Sequence, residues 1–153
     1  MTRDELLAVI EAAARTGAKE LDLAGNDLTE LPPEIGQLTQ LETLILAKDG
    51  DDGYVGNKLT NLPAEIGLLK SLTSLQVSGN WRHKINASFP PGNQLSEVPP
   101  EIVQLTNLQH LDLRSNQLSE VPPEIGQLTN LKSLDLYRNK FSELPVVIQK
   151  LPL

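Results

Sequence analysis

The chain has 153 residues, no cysteine and a formal net charge of −7, with a pI near 4.8. Such a surface is a poor match for nucleic acid or anionic membranes. No disulfide framework is available, and no apolar run approaches the ~20 residues that a bilayer span requires.

Thr2-Arg3-Asp4-Glu5 has the form of a capping box, with Thr2 as N-cap and Glu5 reaching back. The alanine-rich stretch to Thr16 predicts a helix, and Gly17 suits the left-handed residue that ends one. Leu6, Leu7, Ile10, Ala13 and Ala14 form its apolar stripe. Its few cations argue against a membrane-surface helix, so the expected role is to cap the open end of the next segment.

From Ala18 onward the chain repeats itself. Leu108 to Asn130 and Leu131 to Leu153 align without a gap, a period of 23 residues. Leu108, Leu111, Leu113, Asn116, Leu118, Val121, Pro122, Ile125 and Leu128 recur as Leu131, Leu134, Leu136, Asn139, Phe141, Leu144, Pro145, Ile148 and Leu151. A fixed period in this range marks a solenoid, in which each coil covers its neighbour's apolar face. Repeats are expected at 18–40, 41–71, 72–107, 108–130 and 131–153, after a cap at 1–17. Leu111 and Leu113 are two apart, so a strand directs both inward. Asn116 follows that strand, where its amide can bond backbone groups of adjacent coils. Pro122 and Pro123 lack N–H groups, which suits an extended outer return segment without a sheet partner.

This pattern resembles the leucine-rich repeat, L-x-x-L-x-L-x-x-N-x-L, over about nine tenths of the chain. The LPxEIGxL half resembles the intracellular, Ras-suppressor-like class. With the amino-terminal helix, the chain looks most like the repeat domain of bacterial Roco proteins, where such repeats precede a GTPase. The resemblance implies an α/β solenoid, a curved right-handed arc with a parallel sheet on its concave face. It also implies a cytoplasmic protein-interaction module that needs no cofactor. Extracellular members usually carry disulfide-bonded caps, which a chain without cysteine lacks. The alternative is a free-standing cytoplasmic adaptor or a secreted bacterial effector. Pro152-Leu153 is too short to cover the last repeat, so the chain is expected to be a fragment or to self-associate through its carboxyl end.

Repeats two and three are longer, at 31 and 36 residues. The surplus forms inserts at about 47–56 and 80–92, both leaving just after a strand. Three of the five aromatic residues, Tyr54, Trp81 and Phe89, fall in them. They read either as loops that bury each other's apolar groups or as a protruding surface with Tyr54 and Trp81 as anchors. Asp49 or Asn57 fits the asparagine position of repeat two, and Asn80 or Asn93 that of repeat three. Asp49-Gly50-Asp51-Asp52-Gly53 lacks the later glycine and glutamate of an EF-hand loop and reads as a solvated acidic turn.

Residues beside the buried strand leucines face the concave side. One row is Glu20, Thr43, Ser74, His110 and Ser133, and the next is Asp22, Ile45, Gln76, Asp112 and Asp135. Beyond these stand Arg114 and Ser115, laterally beside Tyr137 and Arg138. Lateral neighbours interact, so His110, Asp112, Arg114, Asp135, Tyr137 and Arg138 are expected to form one patch, with Ile45 and Gln76 beside it. The return face carries acidic rows, Glu34, Glu65, Glu101 and Glu124 among them, which read as solubilising. Neither His83 nor His110 has a nucleophile or metal partner at a meaningful spacing, and no phosphate-binding loop occurs. No enzyme is expected.

Overall fold

A computed structural model describes residues 1–50, 53–80, 92–143 and 145–151. Helix α1 spans Arg3–Thr16. The Thr2 hydroxyl accepts from the Glu5 amide at 3.3 Å, and the Thr2 amide donates to Glu5 Oε2 at 2.7 Å. Gly17 closes the helix at φ 63°. Leu6, Ile10 and Ala13 are buried and join the apolar cluster of the coils that follow.

Five short parallel strands make one sheet: β1 (Glu20–Asp22), β2 (Thr43–Ile45), β5 (Ser74–Gln76), β6 (His110–Asp112) and β7 (Ser133–Asp135). The order β1-β2-β5-β6-β7 skips a separate hairpin formed by β3 (Ala47–Gly50) and β4 (Gly53–Gly56). Each strand places one leucine inward between two outward residues. Leu21, Leu44, Leu75, Leu111 and Leu134 therefore stand in register. With Leu46, Val77, Leu113 and the leucines of the turns they form one continuous core, and Leu44, Leu46, Leu75 and Val77 have no exposed surface at all.

The return path differs from the extended segment expected of the double prolines. Each of the five coils carries a 3-10 helix, at Pro33–Gln37, Ala64–Leu68, Pro100–Gln104, Pro123–Gln127 and Val146–Lys150. The φ fixed by proline serves an extended residue and the first residue of a helix equally well. Pro32 is the extended N-cap and Pro33 begins the turn. The turn aims Ile35, Ile66, Ile102 and Ile125 into the core, each without exposed surface.

The structure resolves the asparagine positions. Asn57 Oδ1 accepts from the amides of Asn26 and Leu28, and its Nδ2 donates to the carbonyls of Leu23 and Leu46. Asn93 Oδ1 accepts from Leu59, and Asn116 Oδ1 accepts from Leu95. With Asn26 and Asn139 they form a ladder, most rungs binding backbone of two neighbouring coils. Asp49 lies in the hairpin instead, and Asn80 is buried beside the bridge of Gly79 with Gly92 where the second insert leaves and returns.

Candidate functional site

Strand register sets the exposed face of the sheet. Ile45, Gln76, Asp112 and Asp135 are consecutive register partners, and Ser74, His110 and Ser133 form the parallel row. Two backbone bonds extend this order past the strands, from Gly79 N–H to the Arg114 carbonyl at 2.8 Å and from Ser115 N–H to the Tyr137 carbonyl at 2.7 Å. Arg114 thus stands beside Tyr137, and Gln76, His110, Asp112, Arg114, Ser133 and Asp135 line one shallow depression.

Arg114 is the hub of this face. Its Nη2 donates to Asp49 at 2.8 Å, and its Nε lies 3.2 Å from Asp112. Asp112 and Asp135 are like charges on adjacent strands, a pairing that opposes itself. Burial pushes the Asp112 carboxyl above the usual aspartate range. The amide and guanidinium of Arg114 oppose that rise, and Asp135 and Asp49 add to it. Next to this hub the Arg138 guanidinium carbon sits 5.4 Å from the Tyr137 ring centroid, within cation–π range. Tyr137 is 68% exposed. His110 is exposed between Ser74 and Ser133, and its ring makes no hydrogen bond among the described residues.

The first insert braces this face. Lys48 pairs with Asp22 of the first coil, and Asp49 reaches Arg114 of the fourth. Tyr54 turns inward, donating its hydroxyl to the Ser78 carbonyl at 2.7 Å while the Asn93 amide approaches at 3.4 Å. Its ring lies where any side chain on Gly56 or Gly92 would collide with it. Glycine at both positions is what admits the phenol. Trp81, the other aromatic anchor read from the sequence, lies outside the described residues, as do Ile85, Phe89, Pro90 and Pro91.

Burial pushes the Tyr54 phenol up to about 12, against the pull of the Asn93 amide. The neutral form is therefore favoured by folding. The stabilisation is fully present below the unfolded value near 10 and is lost as pH rises through about 12. A shift of this size corresponds to about 2–3 kcal/mol. Tyr54→Phe is expected to flatten that alkaline loss in urea melts taken between pH 9 and 12. An unchanged slope would place the titrating group elsewhere.

The sequence placed Asp22 and Lys48 on the sheet face but missed Asp49 as the partner of Arg114. Asp49 and Arg114 are 65 residues apart, and only the fold of the hairpin brings them together. Alternation of Lys48, Tyr54 and Val55 around Gly50 and Gly53 was the available signal for that hairpin. Among the described residues, no three histidine or acidic side chains converge to hold a metal ion, and no helix is long and apolar enough to cross a membrane.

Residues 106–148 match the family profile described as Leucine Rich repeats (2 copies), and residues 18–38 match Leucine Rich Repeat. The chain carries leucine-rich repeats. Solved leucine-rich repeat structures superpose on it. A leucine-rich repeat protein of Leptospira interrogans is 29% identical with a TM-score of 0.53, covering 92% of this chain and 43% of that one. The ectodomain of the receptor kinase SOBIR1 from Arabidopsis thaliana is 29% identical with a TM-score of 0.57, covering 78% and 55%. The BIR3–SERK2 complex, also from Arabidopsis thaliana, gives 27% identity and a TM-score of 0.56 over the same shares. The chain thus spans roughly half the length of the structures it resembles. No curated protein sequence matches it. The fold is an α/β leucine-rich repeat solenoid, a scaffold typical of protein–protein interaction.

Proposed function

We propose that this chain is a non-catalytic protein-interaction module that presents the sheet face of its last three repeats to a protein partner. The observation that carries this reading is the Arg114 hub, where opposite charges from three coils and an exposed tyrosine gather on the outward face of the sheet. Tyrosine and arginine are the residues on which interface energy concentrates. The BIR3–SERK2 neighbour is itself a complex of proteins. Within this reading the chain is cytoplasmic and forms the amino-terminal repeat region of a bacterial Roco-type GTPase, with the GTPase domain of the same parent chain among its partners. The LPxEIGxL pattern and the absence of cysteine support it. A free-standing adaptor or secreted effector is the second reading, favoured by the bacterial repeat protein that covers 92% of this chain. A second copy stacking on the last coil belongs to either reading, since Leu134, Leu136 and Phe141 there are only half-buried.

Arg114→Glu and Tyr137→Ala are each expected to weaken partner binding by about ten-fold or more. Titration calorimetry on the captured partner reads this. Binding indifferent to both substitutions, yet abolished by shortening either insert, would move the interface to the loops. The natural reading frame past Leu153 separates the two cellular settings, because a phosphate-binding loop downstream supports the GTPase setting and an immediate stop removes it.

A further inference from the structure

We infer that a second copy of this chain covers the last coil by pairing β7 with β7, antiparallel, about a two-fold axis at Leu134, an inference that stands with or without the sheet face as a surface for other proteins. β7 is the free end of the order β1-β2-β5-β6-β7. Ser133 N–H donates to the Gln109 carbonyl, and the Asp135 carbonyl accepts from Leu113 N–H. Those two residues therefore turn their backbone groups toward β6, and Leu134 between them turns its N–H and C=O away. Two more groups continue this edge. In the preceding coil the Gln109 carbonyl and the Leu113 N–H both bond to β7. Their equivalents, the Lys132 carbonyl and the Leu136 N–H, have no partner among the described residues.

An antiparallel copy satisfies all four groups. With Leu134 facing its own equivalent, that pair exchanges two N–H···O bonds, and on each side a Lys132 carbonyl accepts from a Leu136 N–H. The edge is its own complement, which is what a two-fold contact needs. The side chains agree with the backbone. Leu134 and Leu136 are half-buried, whereas Leu44, Leu46, Leu75 and Val77, at the same positions of covered coils, have no exposed surface. Phe141 and Ile148 are half-buried in the same coil. The two-fold brings the inward leucines of both copies side by side beneath one continuous sheet. On the outward face it sets Ser133 opposite Asp135 of the second copy, so no like charges meet directly.

The other end of the arc selects this arrangement. Helix α1 covers the first coil with Leu6 and Ile10, which are 2% and 0% exposed. A copy has no bare coil there to lay on β7. Head-to-tail stacking is closed, and two copies meet last coil to last coil.

The test is sedimentation of the whole chain over a range of concentrations, with amide exchange read on the same samples. A dimer is expected, and the Leu134 and Leu136 amides exchange more slowly as concentration rises. Ser133 is exposed on the outward face, so substitution there keeps the fold. Ser133→Asp opposes like charges twice across the axis and weakens the dimer about ten-fold. Adding Asp135→Lys to Ser133→Asp restores it, because each pair then joins opposite charges. A chain that is monomeric at every concentration overturns the inference. A dimer indifferent to both the single and the double substitution overturns the pairing of β7 with β7. An open series of species larger than a dimer overturns the two-fold. Dimer mass and capture of a partner through Arg114 are separate readouts, so failure of one leaves the other standing.

Discussion

Asn57→Ala is expected to destabilise the chain by about 3–5 kcal/mol and to lower its Tm by roughly 10 °C. Asn57 is 1% exposed and makes four hydrogen bonds. Two amides of the first coil and two carbonyls, one from the first coil and one from its own, lose their partner when the side chain is truncated. Each buried orphan costs about 1–3 kcal/mol. The rung also joins coils across the first insert, where the chain between Leu46 and Asn57 departs from the repeat. Loss of that rung uncouples the first coil and α1 from the rest, because each coil is stabilised only by its neighbours. A melt with two transitions, the smaller one from the amino-terminal end, is the expected signature. A single transition within ~1 kcal/mol of the parent would mean that the ladder adds little to coil stacking.

Gly79→Ala is expected to cost about 3 kcal/mol or more, as overpacking against a rigid neighbour does. A Cβ on Gly79 would stand 1.9 Å from the Ser115 carbonyl oxygen and 2.6 Å from that of Asn93. Both are backbone atoms, so no side chain can swing away. Gly79 donates to the Arg114 carbonyl and bridges Gly92, so the methyl group forces apart the third and fourth coils at the root of the second insert. The same displacement moves Arg114 from Asp49. Chemical denaturation checks the stability loss, and the Arg114 Nε–H signal checks the displacement. An alanine variant as stable as the parent would require a backbone at Gly79 that lies clear of Ser115.

How much of this was legible in the sequence depended on distance along the chain. The inward leucines could be read directly, because a 23-residue repeat states the same burial five times over. The lateral rows followed, since strands that repeat in sequence pair in register. The return path was misread because proline fixes one φ that two conformations share. The ladder was left open at Asp49 or Asn57 and at Asn80 or Asn93, because a sequence shows how long an insert is and not where its stem closes. Asn93 owes its place to the Gly79–Gly92 bridge. The patch was read as one group from lateral spacing, yet its organising contact, Asp49 with Arg114, depends on a hairpin that folds back over the sheet. Tyr54 shows the limit most plainly. As a lone aromatic in an insert it suited an exposed anchor, and its hydroxyl is instead bonded to Ser78 over glycines that leave it room.

The most direct measurement places a photo-reactive side chain at Ser133, on the sheet face, and in a second preparation at Glu101, on the return face. Each is irradiated in cells that naturally express the chain. A protein crosslinked from Ser133 and absent from Glu101, and lost again when Arg114 is changed to glutamate, is the predicted result. Crosslinks that arise from Glu101 alone would contradict it and assign the interaction to the acidic return face.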